Sequence, residues 1–427
     1  MSQIQAQAQI QINSKTYTAI IDDDTTKPFA VIHVGPHKTG STSIQQFITR
    51  EKELIRKDNY VVPVVPGGWH SKNSGHIAAC FHETRSEEAS SLCPHKKKAL
   101  IIQTFAKFID ETAALNENIT AIPTNILISS EEFDRPQMDI ATLKNMFEPR
   151  FKVRIVIYYR RFYDWVVSYH NQLTKSTKIS VPPFVEWLTI DQMDQVSQQH
   201  ALQVYKRYSS YFPSESAVEV IIIERLMSNN ISLEESFFCE GVPNTKRVCN
   251  QIRRNPIMKV KNTSVLLGKS ELMDAIRKRY PNITETNTNL KSIIDERWNH
   301  LLLNEEKYVN NNNDDSKMTG DDSNAVEIIP WVCLPQVIQD KLLYMSQRFE
   351  EEINNITLYT SSYYYNNNNG NKDHCYADNC SINELILEQD FRKKNVGSSK
   401  TFCSVNTERI LDSWDEEEWF RALLKGD

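Results

Sequence analysis

The sequence contains no apolar stretch long enough to span a bilayer. Its opening residues, MSQIQAQAQIQINSKTYTAIIDDD, lack the basic segment and apolar run of a secretory leader. Together these absences predict a soluble chain that stays in the cytoplasm. Positive charge is also in short supply: 49 Lys and Arg against 55 Asp and Glu give a formal net charge of -6. No global basic field exists to hold nucleic acid or an anionic membrane, so any anion site must be local. A Walker A phosphate loop is missing, as is an Asp pair suited to a catalytic metal. Nor is there an internal repeat. His374, Cys375 and Cys380 form a candidate zinc cluster, but no second CxxC-like pair supplies the remaining ligands at a familiar spacing.

The eight cysteines include three sequence-local pairs, Cys80 with Cys93, Cys239 with Cys249, and Cys375 with Cys380. Each could close a small disulfide loop in an oxidising compartment or stay as reduced thiols in a reducing one. Sequons at Asn118, Asn230, Asn262, Asn282, Asn355 and Asn379 fit glycosylation, although an Asn-rich chain produces such triplets by chance.

Residues 1–27 are polar and Gln-rich and read as a loosely ordered arm; residues 28–427 read as one large domain. Phe29–Val34 (FAVIHV) is a short apolar run ended by Gly35 and Pro36, as in a buried parallel strand. Ile44, Phe47, Ile48, Leu54 and Ile55 then approximate one helical face, with Ser41, Thr42 and Ser43 offering capping hydroxyls at its start. Further strands are expected over 60–65, 125–129, 153–159 and 218–223, alternating with helices near 96–114, 162–174 and 198–211. That alternation predicts an α/β fold: a central parallel sheet flanked by helices in three layers. Helices are also expected over 264–280 and 335–354 and in the tail 413–424, with Asn-rich low-complexity insertions at 309–324 and 363–372.

Ligands of such sheets lie at the carboxyl ends of the strands, where HVGPHKTGSTSIQQF (33–47) falls. This segment sets Gly, Lys and clustered hydroxyls between strand and helix, an arrangement that turns backbone N–H groups toward an anion. A Walker A loop carries its Lys directly before the final Ser or Thr, whereas Lys38 precedes Thr39, Gly40, Ser41 and Thr42. ATP or GTP use is correspondingly disfavoured.

Pro36, Lys38, Thr39, Gly40, Ser41 and Thr42 resemble the loop P-K-[ST]-G-[ST]-[ST] with which sulfotransferases bind the 5′-phosphosulfate of 3′-phosphoadenosine-5′-phosphosulfate (PAPS). His37 occupies a position that this family leaves variable. IVIYYRRFYDWVVSYHNQ (155–172) resembles the family's 3′-phosphate segment, a strand ending in Arg with a Ser eight residues on. Arg160 and Ser168 fit that spacing, and Arg161 is the adjacent alternative; Phe162 and Tyr163 stand where a Pro is often found. Trp165, Val166 and Tyr169 read as packing. The resemblance covers roughly residues 29–226 and is closest to carbohydrate-type and microbial members.

The resemblance implies a three-layer P-loop fold and transfer of a sulfuryl group from PAPS, leaving PAP, to a hydroxyl acceptor such as a glycan. It also implies that Lys38 stabilises the leaving nucleotide, that His76 or Glu131 acts as general base, and that Glu224 is structural near the nucleotide. His70 and His82 compete with His76. Arg253 and Arg254 could supply a late nucleotide contact or form a solvated basic pair. Glycan sulfotransferases usually work in the Golgi lumen, the alternative to cytoplasm if the N-terminus is incomplete. Two other readings are an atypical P-loop kinase and a catalytically silent nucleotide-binding protein.

Overall fold

Phe29–Val34 becomes β1 because Ala30 through Val34 are all apolar or hydrogen-bonded and all buried. A computed structural model of the chain describes residues 27–63, 74–83, 93–116, 123–175, 181–214, 217–255, 267–280, 292, 294–299, 301, 331–365, 403–417 and 420. Four further strands lie parallel to β1: β2 (Tyr60–Val61), β3 (Asn125–Ser130), β4 (Lys152–Tyr159) and β5 (Val218–Ile222), in the order β2-β3-β1-β4-β5. In register, Ala30 faces Ile126 on one side of β1 and Val153 on the other.

Between these strands run α1 (Ser41–Arg50), α2 (Lys52–Lys57), α3 (Gly75–Cys80), α4 (His95–Asn116), α5 (Ile140–Phe147), α6 (Phe162–Lys175), α7 (Phe184–Trp187), α8 (Ile190–Ser197) and α9 (Ala201–Tyr211). Beyond β5 come α10 (Ile223–Ser228), α11 (Leu233–Ser236), a π turn (Phe237–Gly241), α12 (Lys246–Arg254), α13 (Leu267–Arg279), α14 (Gln336–Tyr365) and α15 (Thr407–Glu416).

Strand periodicity sorts the side chains into two cores. Ala30, Ile32, Val34, Ile126, Ile128, Ile155 and Ile157 pack with residues of α3, α4, α5, α6, α9 and α14 on one face of the sheet. Val31, Leu127, Val156 and Tyr158 pack with α1, α2, the π turn and α12 on the other. Both faces are covered, which is why the strands read as continuous apolar runs. The expected three-layer α/β architecture is the one observed. β1 sends its chain toward β2 while β3 sends its chain across to β4, so the loop after β1 sits where the strand order reverses, the usual ligand crevice of such sheets.

Several boundaries differ from the sequence expectation. β2 pairs over only Tyr60 and Val61, because Pro63 has no N–H to continue the ladder. β5 stops at Ile222, and Ile223 already opens α10. Of the tail expected as a helix over 413–424, residues 413–416 are the end of α15, which Asn406 caps by accepting the N–H of Arg409 and which stops at Glu417; 418, 419 and 421–424 lie outside the described residues. The long helix expected to end at 354 runs on to Tyr365, into the first residues of the Asn-rich tract at 363–372. The rest of that tract, the tract at 309–324 and the arm up to residue 26 lie outside the described residues.

Two of the three sequence-local pairs are disulfides, Cys80–Cys93 and Cys239–Cys249. A third, Cys333–Cys403, joins β6 (Trp331–Cys333) to β7 (Cys403–Val405), an antiparallel pair whose cysteines are 70 residues apart. Cys375, Cys380 and His374, and with them the zinc cluster, lie outside the described residues. Glu271 on α13 ties this C-terminal pair to the main body: it accepts from the N–H of Phe184 at 2.5 Å, the Ser404 hydroxyl at 2.7 Å and the N–H of Val405 at 3.1 Å. Among the described residues no helix is long and apolar enough to cross a membrane.

Candidate active site

Gly35 to Gly40 form a tight loop between β1 and α1. The carbonyl of Pro36 accepts from both the N–H of Thr39, at 3.2 Å, and its hydroxyl, at 2.6 Å. Lys38 has φ 69° and Gly40 φ 86°, two left-handed residues that reverse the chain and point it into α1. A Cβ on Gly35 would meet Ser41 Cβ at 2.6 Å, and one on Gly40 would meet Leu233 Cδ1 at 2.2 Å. Gly40→Ala is therefore expected to destabilise the fold by about 1–3 kcal/mol, read as a lower denaturation midpoint, because the left-handed strain adds to displacement of Leu233.

Gly40 is also the N-cap of α1, and no side chain caps it. The hydroxyls expected as caps are used otherwise: Ser41 Oγ donates to Glu131 Oε2 at 3.3 Å, and Ser43 Oγ donates to Glu234. The first turn of α1 thus begins without a side-chain acceptor, beside a half-buried Lys38. This is a surface suited to an anion.

The second motif segment meets the first. Arg160, at the end of β4, sends Nη1 to Ser168 Oγ at 2.8 Å and to the carbonyl of Lys38 at 3.3 Å. Residues 122 apart in sequence are joined in one cluster. The neighbouring Arg161 turns away: its N–H donates to Glu224 Oε1 at 2.9 Å and its Nε to Glu350 at 3.2 Å. Geometry thus separates the two arginines that the sequence left open. Glu224, with burial pushing its carboxyl up, holds the backbone at the β4 end, as a structural residue would.

Of the base candidates, Glu131 is bonded to the start of α1, accepting from Ser41. It opens the 3-10 turn Glu131–Asp134 that follows β3, where Ser130 accepts the N–H of Glu132. His76 is half-buried on α3, and α3 packs against that same turn. His82 is committed elsewhere: it is buried and its Nε2 bonds the carbonyl of Glu132 at 2.9 Å. His70 lies outside the described residues. Arg253 and Arg254 are exposed on α12, Arg253 pairing with Glu235 at 3.1 Å, which makes them the solvated alternative rather than a loop contact.

Sequence reading missed four residues. Asp134, fully buried, accepts from both the N–H and the Nδ1 of His37 through Oδ2, at 2.9 and 2.8 Å. Trp165 does more than pack: its Nε1 donates to the His37 carbonyl at 2.7 Å. Buried His200 donates Nε2–H to the Arg160 carbonyl at 2.8 Å, and burial lowers its pKa to about 4, so it serves as a neutral donor. These contacts hold the loop and Arg160 from beneath. Only an uncommon His inside a phosphate loop and an acidic cluster after a strand (EEFD) signalled them. No family model, curated protein or solved structure matches the chain, so its functional reading rests on these residues and on the motif resemblance.

Proposed function

We propose that this chain is a PAPS-dependent sulfotransferase acting on a hydroxyl acceptor such as a glycan. The observation that carries the reading is the cluster of Arg160, Ser168 and Lys38, which brings the two nucleotide-binding motifs to one site. In this reading the loop N–H groups and the start of α1 bind the 5′-phosphosulfate, and Arg160 with Ser168 binds the 3′-phosphate. The acceptor oxygen attacks sulfur in line. Its proton passes to Glu131, a new S–O bond forms, the bond to the bridging oxygen breaks, and PAP leaves with that charge offset by Lys38. His76 is the second candidate for the base.

The test is release of PAP from PAPS by the purified protein, measured against a panel of hydroxyl-bearing glycans. Folded protein that forms no PAP with any acceptor counts against the proposal. One observation favours a second reading. A loop hydroxyl bonded to a carboxylate, as Ser41 is to Glu131, is also how P-loop kinases and NTPases hold Mg²⁺, so an atypical kinase would prefer ATP with magnesium.

Three disulfides suit an oxidising compartment, and they favour the secretory lumen over the cytoplasm for this chain. Alkylation in denaturant without reductant should leave Cys80, Cys93, Cys239, Cys249, Cys333 and Cys403 unlabelled in protein from its native source. Labelling of all six would return the cytoplasm to favour.

A further inference from the structure

His37 in the loop and Asp134 in the turn after β3 are not required by the sulfotransferase motif, yet they are bonded to each other twice. Asp134 Oδ2 lies 2.9 Å from a backbone nitrogen of the phosphate loop itself. A carboxylate this close to bound phosphates would repel them, and it is fully buried, so water does not screen it. His37 bonds that carboxylate directly, through Nδ1 at 2.8 Å, and the Arg207 guanidinium also faces Asp134.

We infer that His37 and Asp134 form a positioning pair, in which the positive charge of the histidine offsets a carboxylate built into the floor of the loop and so sets its affinity for the cofactor's phosphates. The inference rests on the proposed PAPS site. His37 makes three bonds out of the loop: its N–H and ring bind Asp134, and its carbonyl accepts from Trp165 on α6, the helix that also carries Ser168. One residue thereby ties the turn after β3, the loop after β1 and the 3′-phosphate helix together.

The charged surroundings agree. Burial opposes protonation of His37, but Asp134, by charge and by hydrogen bond, and then Glu131 outweigh both that burial and the opposing Arg135, so its pKa is raised. Arg207 on α9 donates to the carbonyl of Asp134, Lys38 is the next residue of the loop, and Arg160 donates to the Lys38 carbonyl. The sign follows: with the folded pKa above the ordinary histidine value, the cation persists to higher pH than on a free histidine and is lost as pH rises through the raised pKa. Affinity for PAP should fall over that same step.

Binding of PAP is measured by calorimetry across pH for the wild type, His37→Asn, and the double variant His37→Asn with Asp134→Asn, alongside thermal unfolding. Asn at 37 keeps an N–H donor near the Nδ1 position but removes the charge. The expected result is a PAP affinity lower by about tenfold to a hundredfold in the single variant. Affinity should recover to within about threefold of the wild type in the double variant, because both charges are then gone. The loss of affinity with rising pH should be absent from both.

Wild-type affinity in His37→Asn, or no recovery in the double variant while both remain folded, overturns the inference. A wild type that binds no PAP at all contradicts the cofactor reading instead. The pair is then decided by NMR titration of the His37 ring in the free protein: an imidazolium at neutral pH that is lost in Asp134→Asn supports it, and a neutral ring at pH 7 refutes it.

Discussion

Replacing Glu131 with Gln should lower the rate of PAP formation from PAPS by about 10²- to 10⁴-fold, the usual contribution of a general base. Affinity for PAP should stay within a few-fold of the wild type. The substitution keeps the shape and the acceptor oxygen that Ser41 binds at 3.3 Å, and removes only the ability to take the acceptor's proton. If Mg²⁺ were held there instead, the same variant would lose metal-dependent ATP binding and leave PAP unaffected. His76→Asn is the control. A large loss in His76→Asn with Glu131→Gln near wild type would move the role of base to α3.

Lys38→Ala should cost about 10²- to 10³-fold in turnover, because in the proposed reading its ammonium meets charge that develops on the leaving oxygen chiefly in the transition state. Arg160→Ala should behave differently. Its guanidinium is bonded to Ser168 at 2.8 Å and to the Lys38 carbonyl at 3.3 Å, and in the proposed reading it binds the 3′-phosphate and not the transferring group. Substrate and transition state share that interaction, so the loss should fall mainly on KM for PAPS. A kcat collapse in Arg160→Ala with KM unchanged would contradict this division of labour. Arg161→Ala should instead lower stability, since Arg161 pairs with Glu350 and its loss leaves that mostly buried carboxylate without its cation.

How much of this was legible in the sequence follows from the range of each interaction. The strand, loop and helix around residues 29–50 are specified locally, by an apolar run, two glycines and a 3.6-residue period, and the structure reproduces them. So was the eight-residue spacing of Arg160 and Ser168, which ends in a direct bond. What the sequence hid are pairings across the sheet. His37 and Asp134 are 97 residues apart, and Ser41 and Glu131 are 90 apart; β1 and β3 become neighbours only because β3 inserts between β1 and β2.

Local rules also misread two features for a physical reason. Ser41 and Ser43 have the composition of helix caps, but a glycine takes the cap position and frees both hydroxyls for carboxylates. Cysteines close in sequence were the natural partners to expect, and two such pairs formed. Cys333 and Cys403, 70 residues apart, meet only once β6 and β7 pair. The helical tail likewise took its start from Asn406, a cap that an apolar period does not reveal.

The central claim is tested most directly by calorimetric titration of the purified chain with PAP, in parallel with ATP and magnesium. The account predicts that PAP binds tightly without metal, that Lys38→Ala and Arg160→Ala each weaken it, and that ATP with magnesium binds poorly. Binding of ATP with magnesium in the absence of any PAP binding would contradict the sulfotransferase reading and put a kinase in its place.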